Sequence, residues 1–289
     1  MSARPVALTR GELQKHPLPS PKADDKDDKG RILIVAGSVE VPGAALLSGL
    51  GAMRAGAGKL QIATSKGAAA ALGVSIPEAR IIAFAEGRDG GIARSAVGGV
   101  GKLAKDTDAV VAGPGLAPGK ANWRLVAALC DAGTSLVLDA ELLRVLPECR
   151  QLVAGSIEPI LLPHSGELAA LLGCGEQQVA ADPLAAGRQC ARRYNAMTLV
   201  KGRQSYVVTP DGHAWLYRGG SPGLGVSGSG DVLAGIVGGL SARGADALTA
   251  LLWGVWLHGE AGARLGKPIG DAGFLARELP DQIPALLAS

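Results

Sequence analysis

Short runs of apolar residues recur along the chain, and most are separated by segments long enough to form helices. Runs of this length are typical of strands that are buried on both faces of a parallel sheet. Strands that alternate with helices form βαβ units. We therefore predict an α/β fold: a mostly parallel central sheet flanked by helices on both faces, with ligands at the carboxyl ends of the strands. The predicted strands are 32–36, 60–63, 81–84, 109–112, 136–138, 160–162 and 198–201.

One segment departs from this alternation. Residues 206–209 and 213–217 read as strands and flank Pro210-Asp211-Gly212. The Asp-Gly pair is typical of a tight turn between antiparallel strands. We predict a hairpin here, at an edge of the sheet.

The first 30 residues differ from the rest of the chain. They are polar and rich in proline, and they include a run of charged residues at 24–29. Such a composition favours an extended, solvated arm. Residues 31–289 contain no linker and no fixed-period repeat, so we predict that they form a single catalytic domain.

Composition excludes several classes of protein. Of the 289 residues, 47% are apolar, which is enough for a substantial core. The net charge of +3 gives no nucleic-acid-binding face. No apolar run reaches the roughly 18 residues of a membrane span, and the N-terminus leads to no apolar signal segment, so we expect a cytoplasmic protein. The four cysteines are too widely spaced for a metal knuckle or a redox pair.

A glycine-rich stretch, Gly225 to Asp231, runs directly into an apolar segment with helical periodicity at 230–242. The first amides of such a helix are free, and the helix dipole favours an anion there. Asp231 would repel a bound phosphate unless it has a separate task, and removing a proton from a substrate hydroxyl is such a task. The alternative is that Asp231 only caps the helix. The spacing does not match the P-loop motif.

Further motifs follow predicted strands, where the sheet would place a ligand. Each also has a structural explanation: a tight turn, a helix cap or a solvated surface lysine. His258 lies in a predicted helix beside Trp256, and we interpret it as a packed core histidine. The strand-end motifs are the turn at 113–116, Asp139, the pair His164 and Glu167, and Lys201 with Gly202.

Taken in order, these motifs resemble those of the ADP/ATP-dependent NAD(P)H-hydrate dehydratase family, whose members have a ribokinase-like fold. The resemblance runs from about residue 30 to residue 284 and is that of a stand-alone form without the epimerase domain that many members carry. The matching segments are Gly30–Ser38, Gly43–Ala45, Arg54–Gly58, Gly113–Leu116, Leu138–Ala140, Pro163–Glu167, Lys201–Gly202, Gly228–Gly235, Leu257–Gly259 and Gly273–Pro280.

The resemblance implies a lyase of metabolite repair. Its substrates are NADHX and NADPHX, the hydrated and inactive forms of NADH and NADPH, in the S configuration at C6. ADP, or ATP in some members, phosphorylates the hydroxyl that hydration installed, and elimination of phosphate restores NAD(P)H; with ADP the other product is AMP. The resemblance also implies Mg²⁺, a homo-oligomer such as a tetramer, and a separate epimerase to supply the S form.

The resemblance assigns roles residue by residue. Asp231 is the base and also contacts the substrate. The amides at Gly228, Ser229 and Gly230 steady the phosphoryl group. No residue is assigned as a metal ligand. Substrate contacts come from Ala44, Gly115 and His164, and adenine-nucleotide contacts come from Lys201, Gly202, Arg203, Gln204, Ser205 and Gly230.

The chain also departs from the family pattern. Val226 and Ser227 stand where many members have threonine and glycine, and Glu141 stands where many have aspartate. The nearest alternative is a ribokinase-like kinase for a vitamin precursor such as hydroxyethylthiazole. A catalytically silent nucleotide-binding protein is a second alternative. A plain NAD-dependent dehydrogenase is a third, although the early Gly-x-Gly-x-x-Gly expected of it is missing.

Overall fold

The computed structural model describes residues 4–20, 29–119 and 122–289. Within these ranges ten strands form one sheet, in the order β1-β10-β9-β8-β7-β6-β5-β2-β3-β4. The strands are β1 Val6–Ala7, β2 Arg31–Val35, β3 Lys59–Ser65, β4 Ala79–Phe84, β5 Ala109–Ala112, β6 Ser135–Leu138, β7 Ile160–Leu161, β8 Met197–Val200, β9 Ser205–Val208 and β10 Ala214–Tyr217.

Helices connect most of these strands. Short 3₁₀ helices add turns at Arg94–Ala96, Ala140–Glu148, Pro222–Gly225, Ala276–Glu278 and Pro280–Gln282. The α-helices are α1 Arg10–Leu13, α2 Gly43–Arg54, α3 Lys66–Ser75, α4 Val97–Lys105, α5 Asn122–Cys130, α6 Arg150–Ala154, α7 Ser165–Leu172, α8 Glu176–Ala181, α9 Pro183–Tyr194, α10 Ser229–Ala242, α11 Ala247–Ile269 and α12 Ile283–Leu287.

The sheet is mostly parallel, which confirms the predicted α/β class. Antiparallel pairing joins β9 to β8 and to β10, so the predicted hairpin is also present. Its position at the sheet edge is wrong, however. Strand β1 pairs in parallel with β10, with Val6 opposite Trp215, and therefore lies outside the hairpin.

The N-terminal arm is ordered over residues 4–20, where an extended, solvated segment was predicted. It contributes β1 and α1, and Leu8 and Leu13 are buried in the core. The indole nitrogen of Trp253 on α11 donates to the carbonyl of His16 at 2.7 Å. Two strand residues and one helical turn carry too little periodicity to be recognised from the sequence. Most of the charged run at 24–29 lies outside the described residues.

Alternate residues of each strand pack on opposite faces of the sheet, as a two-sided parallel sheet requires. Ile32 and Ile34 belong to one core cluster, with residues of α2, α10 and α11. Leu33 and Val35 belong to a second cluster, with residues of α4, α5, α7 and α9. Helices thus cover both faces. In the described part of the chain, no helix is both long and apolar enough to span a bilayer.

Helices α2 and α10 approach each other backbone to backbone. A β-carbon added to Gly235 would lie 2.0 Å from the carbonyl oxygen of Ser48, and one added to Gly239 would lie 2.5 Å from that of Ala52. Glycine is therefore required where the helices touch. This contact fixes the first turn of α10 relative to the sheet.

Candidate active site

Polar side chains gather at the carboxyl edge of the sheet, as the strand-end motifs predict. Asp139 follows β6, His164 follows β7 and Lys201 follows β8, which are neighbouring strands. The backbone pairing of β7 and β8 extends to His164 and Lys201 as an isolated parallel bridge. These three residues, distant in sequence, therefore lie side by side at this edge. We call them the floor of the site.

An ion pair occupies the middle of this floor. The Lys201 Nζ lies 2.7 Å from Asp139 Oδ1 and 4.0 Å from Glu167 Oε2. The Asp139 side chain is only 2% exposed and that of Lys201 is 20% exposed. A carboxylate this buried needs a compensating charge, and Lys201 supplies it.

His164 caps helix α7. Its Nδ1 accepts hydrogen bonds from the amides of Gly166 and Glu167, while the Glu167 carboxylate accepts from the His164 amide at 2.9 Å. This reciprocal arrangement is a capping box. Because Nδ1 accepts, the proton of a neutral ring sits on Nε2, which faces Glu167 Oε1 at 3.4 Å. The ring remains 58% exposed and is accessible to a ligand.

The first turn of α10 presents free amides at the place where the glycine-rich stretch predicts an anion cradle. Gly228 has a φ of +89°, a left-handed conformation that favours glycine. Among the described residues we find no hydrogen-bond partner for the amides of Gly228, Gly230 and Asp231. The Ser229 amide differs from these three, because it donates to the carbonyl of Val226 at 3.3 Å; its phosphoryl-binding role stays a prediction.

His258, on α11, forms hydrogen bonds with this turn. Its Nε2 lies 2.9 Å from the Ser229 hydroxyl and 3.0 Å from the Ser229 carbonyl. Burial lowers the pKa of His258 to about 4, so the ring is neutral at physiological pH. The sequence predicts a core histidine, and it is buried; its bonds to a residue 29 positions away were not predicted because nothing local encodes them.

Asp231 lies in the first turn of α10, where the charges of Asp139 and Lys201 act on it. Burial is the main cause that raises the pKa of its carboxyl from 3.8 to about 6, and the negative charge of Asp139 raises it further. Lys201 acts in the opposite direction. A carboxyl with such a pKa is ionised near neutral pH yet binds a proton readily, as a general base must.

A cavity of about 860 Å³ lies beside the floor. Four of the five predicted nucleotide-binding residues at 201–205 line it; the exposed Gln204 does not. Tyr217, which the sequence motifs do not single out, also lines it, and its hydroxyl donates to Glu260 Oε1 at 2.9 Å. Residues that line the cavity include His164, Lys201, Gly202, Arg203, Ser205, Tyr217, Ser229, Gly230 and His258.

The predicted substrate residues Ala44 and Gly115 lie together outside this cavity. A β-carbon on Gly115 would be 2.6 Å from that of Ala44. They follow β2 and β5, and the strand order places the end of β2 about 19 Å from the end of β8. Helix α10, which carries Asp231, packs over β5 and β6, the strands between β2 and those beside the cavity.

The chain is similar to several known proteins. The profile of the NAD(P)H-hydrate dehydratase family matches residues 32–285. The ADP-dependent (S)-NAD(P)H-hydrate dehydratase of Xanthomonas campestris is 45% identical over 286 residues, which cover 97% of this chain and 95% of that protein.

Two further similarities concern a longer protein and a solved structure. A bifunctional NAD(P)H-hydrate repair enzyme of Thermofilum pendens is 34% identical, and the match covers 94% of this chain and 52% of that enzyme. The crystal structure of the ADP/ATP-dependent NAD(P)H-hydrate dehydratase of Bacillus subtilis, co-crystallised with ATP and Mg²⁺, gives a TM-score of 0.81 at 28% identity and covers 99% of this chain and 98% of that one. From its fold, its strand-end motifs and these matches, the chain belongs to the NAD(P)H-hydrate dehydratase family.

Proposed function

We propose that the chain is an ADP-dependent (S)-NAD(P)H-hydrate dehydratase, a hydro-lyase that returns NADHX and NADPHX to NADH and NADPH. The observation that carries the proposal is the position of Asp231. Its carboxyl, with a pKa of about 6, stands beside unpaired amides at the first turn of α10. A base next to an anion cradle is suited to phosphorylating a hydroxyl group.

The reaction has two steps. Asp231 takes the proton of the C6 hydroxyl while that oxygen attacks the terminal phosphorus of ADP, and the bond from this phosphorus to AMP breaks. Phosphate then leaves C6 and a proton leaves the adjacent ring carbon, which restores the double bond. Phosphorylation is needed because hydroxide is a poor leaving group. The amides of Gly228 and Gly230 stabilise the charge on the transferring group.

The two ligands approach Asp231 from opposite sides. ADP occupies the cavity beside β8, where Lys201 offers a positive charge and Gly202, Arg203 and Ser205 line the wall. The hydrated nicotinamide lies toward Ala44 and Gly115. His164, which is exposed at the cavity wall between these two regions, contacts the substrate. Asp231 is then the residue nearest to the reacting atoms.

The carboxylates of the described site do not gather into a metal-binding cluster. Among the residues that the structure describes, no group of three His, Cys, Asp or Glu side chains could hold a metal ion. Asp139 and Glu167 face Lys201 instead. We therefore infer that Mg²⁺ enters bound to the nucleotide phosphates, whose charge it offsets.

The test is the absorbance at 340 nm after adding the protein to NADHX with Mg²⁺, in parallel samples with ADP, ATP or no nucleotide. We expect a rise with ADP and none without nucleotide. A vitamin-precursor kinase would give no rise in any sample, although it would bind nucleotide. A rise with ATP alone would keep the dehydratase and replace its donor.

The turnover rate should depend on pH through Asp231. Since the ionised carboxyl is the active form, kcat should fall as the pH drops through about 6, approaching tenfold for each further pH unit. Asp139 and Lys201 are the charged groups that act on Asp231. Phosphate release at saturating substrate between pH 5 and 8.5 measures this, with tryptophan fluorescence as a control for folding. A flat profile to pH 5 would exclude Asp231 as the base.

Three further proposals accompany this function. We expect the protein to be cytoplasmic and to form a homo-oligomer such as a tetramer. A separate epimerase, or spontaneous epimerisation, would convert the R form of the hydrate into the S form that this site accepts.

A further inference from the structure

Asp139 has a more restricted environment than a helix cap requires. Its Oδ1 accepts from the amide of Ala140 at 2.8 Å, which caps the 3₁₀ helix Ala140–Glu148. The same oxygen accepts from Lys201 Nζ at 2.7 Å, across 62 residues of sequence. The backbone is also fixed, because the Asp139 amide donates to the carbonyl of Ala112 at 3.1 Å. One buried carboxylate thus joins a local cap to a long-range ion pair.

This ion pair lies next to the first turn of α10, where the phosphoryl group is proposed to bind. Lys201 Nζ lies 3.6 Å from the position that a β-carbon on Gly230 would occupy. Glu167 Oε2 lies 4.0 Å from the same Nζ. The ammonium group therefore lies near two carboxylates and next to the first turn of α10.

We propose that Asp139 is a positioning residue, which acts through Lys201 by holding its ammonium group at the first turn of α10, where the phosphoryl group transfers. This inference rests on the proposed function and adds a residue to it. Asp139 does not touch the substrates. A fixed ammonium group stabilises transferring charge without reorganising during the reaction, whereas a free lysine would first have to lose its mobility.

The negative charge of Asp139 has two opposing consequences. It weakens the attraction of the site for an anionic nucleotide, and it raises the pKa of Asp231. A residue whose role was to bind the anionic nucleotide would not be negatively charged. We therefore expect loss of Asp139 to slow turnover while leaving ADP bound at least as tightly, because a negative charge has been removed from an anion site.

The experiment compares Asp139→Ser, Asp139→Asn and the wild type. Serine can still cap the 3₁₀ helix but is too short to reach Lys201; asparagine keeps an acceptor at the same distance without the charge. Asp182→Ser is the matched control, since Asp182 is an exposed cap whose Oδ1 accepts from the Ala185 amide at 2.9 Å. The measured quantities are kcat, the ADP dissociation constant and the pH profile.

For Asp139→Ser we expect kcat to fall on the order of 10²-fold with no loss of ADP affinity. Asp139→Asn should recover part of this loss. In both variants the acid limb of the kcat profile should move to lower pH, because the charge that raises the pKa of Asp231 is gone. The other titratable groups near the site, His164, Glu167, Lys201 and His258, are the same in all three proteins. Wild-type kcat in Asp139→Ser, or a parallel loss of ADP affinity and folding stability, would overturn the inference.

A measurement independent of turnover separates this inference from the proposed function. Acetic anhydride acetylates lysine side chains, and peptide mass spectrometry follows the rate at Lys201. Release from Asp139 should speed this reaction in Asp139→Ser and leave it unchanged in Asp182→Ser. If the wild type fails to convert NADHX, the proposed function fails, and the labelling rate still decides whether Asp139 holds Lys201. An unchanged rate would show that Asp139 is only a cap.

Discussion

Replacing Asp231 with asparagine should remove nearly all turnover and leave the protein folded and able to bind ADP. Asparagine has the same shape as aspartate but cannot take the proton of the substrate hydroxyl. Loss of a general base lowers kcat by about 10²–10⁴-fold. The measurement is kcat in the 340 nm assay, with ADP binding followed by calorimetry. Turnover like that of the wild type would remove Asp231 from the mechanism.

The same substitution should stabilise the fold at neutral pH. The folded state raises the pKa of Asp231 from 3.8 to about 6, so it binds this proton more tightly than the unfolded chain does. The associated stability is present below pH 3.8 and is lost as the pH rises through about 6. Ionising such a group costs on the order of 1–3 kcal/mol, with the lower figures allowing for its partial exposure.

Thermal unfolding tests this second effect. The Asp231→Asn variant should melt at a higher temperature than the wild type at pH 7.5, and the difference should shrink toward pH 4.5. Asp131→Asn is a control, because that side chain is 78% exposed and lies on the surface. If Asp231→Asn instead lowers the melting temperature equally at both pH values, then Asp231 is not a buried carboxyl that is ionised at neutral pH.

The Gly235→Ala substitution should strongly destabilise the fold. Its β-carbon would meet the Ser48 carbonyl oxygen at 2.0 Å, so helices α2 and α10 would have to separate. Overpacking of this kind typically costs about 2–4 kcal/mol. Alanine otherwise favours a helix over glycine by up to about 1 kcal/mol, so the expected loss is entirely a matter of packing.

Gly98→Ala is the matched control for this prediction. Gly98 lies in α4 with no atom within 4 Å of its added β-carbon. The same substitution should therefore stabilise the protein there and destabilise it at Gly235. Urea unfolding measures both changes. A neutral effect at Gly235 would mean that the two helices are less closely packed than the structure indicates.

The sequence predicts the scaffold well because burial on both faces leaves a local signature. Continuous apolar runs such as 32–36 and 109–112 mark the strands within a residue or two of their observed bounds. The glycine-rich turn before α10 is equally local. Each strand-end motif could thus be placed at the carboxyl edge before any side-chain contact was known.

Contacts between distant residues could not be predicted in this way. Lys201 reads as a phosphate partner or a surface lysine, and only the fold shows that its ammonium group is paired with Asp139. The bond between His258 and Ser229 is a second case. The edge position of β1 is a third, since two residues of strand become recognisable only when β10 lies beside them.

The glycine contact between α2 and α10 also bears on how such a site can change over time. Both helices begin at the carboxyl edge, one beside Ala44 and the other at Ser229. The wall proposed for the hydrate and the turn that carries the base are thus parts of one rigid pair of helices. Loops around the cavity can then vary, and donor preference can drift with them, without disturbing the alignment of base and hydroxyl.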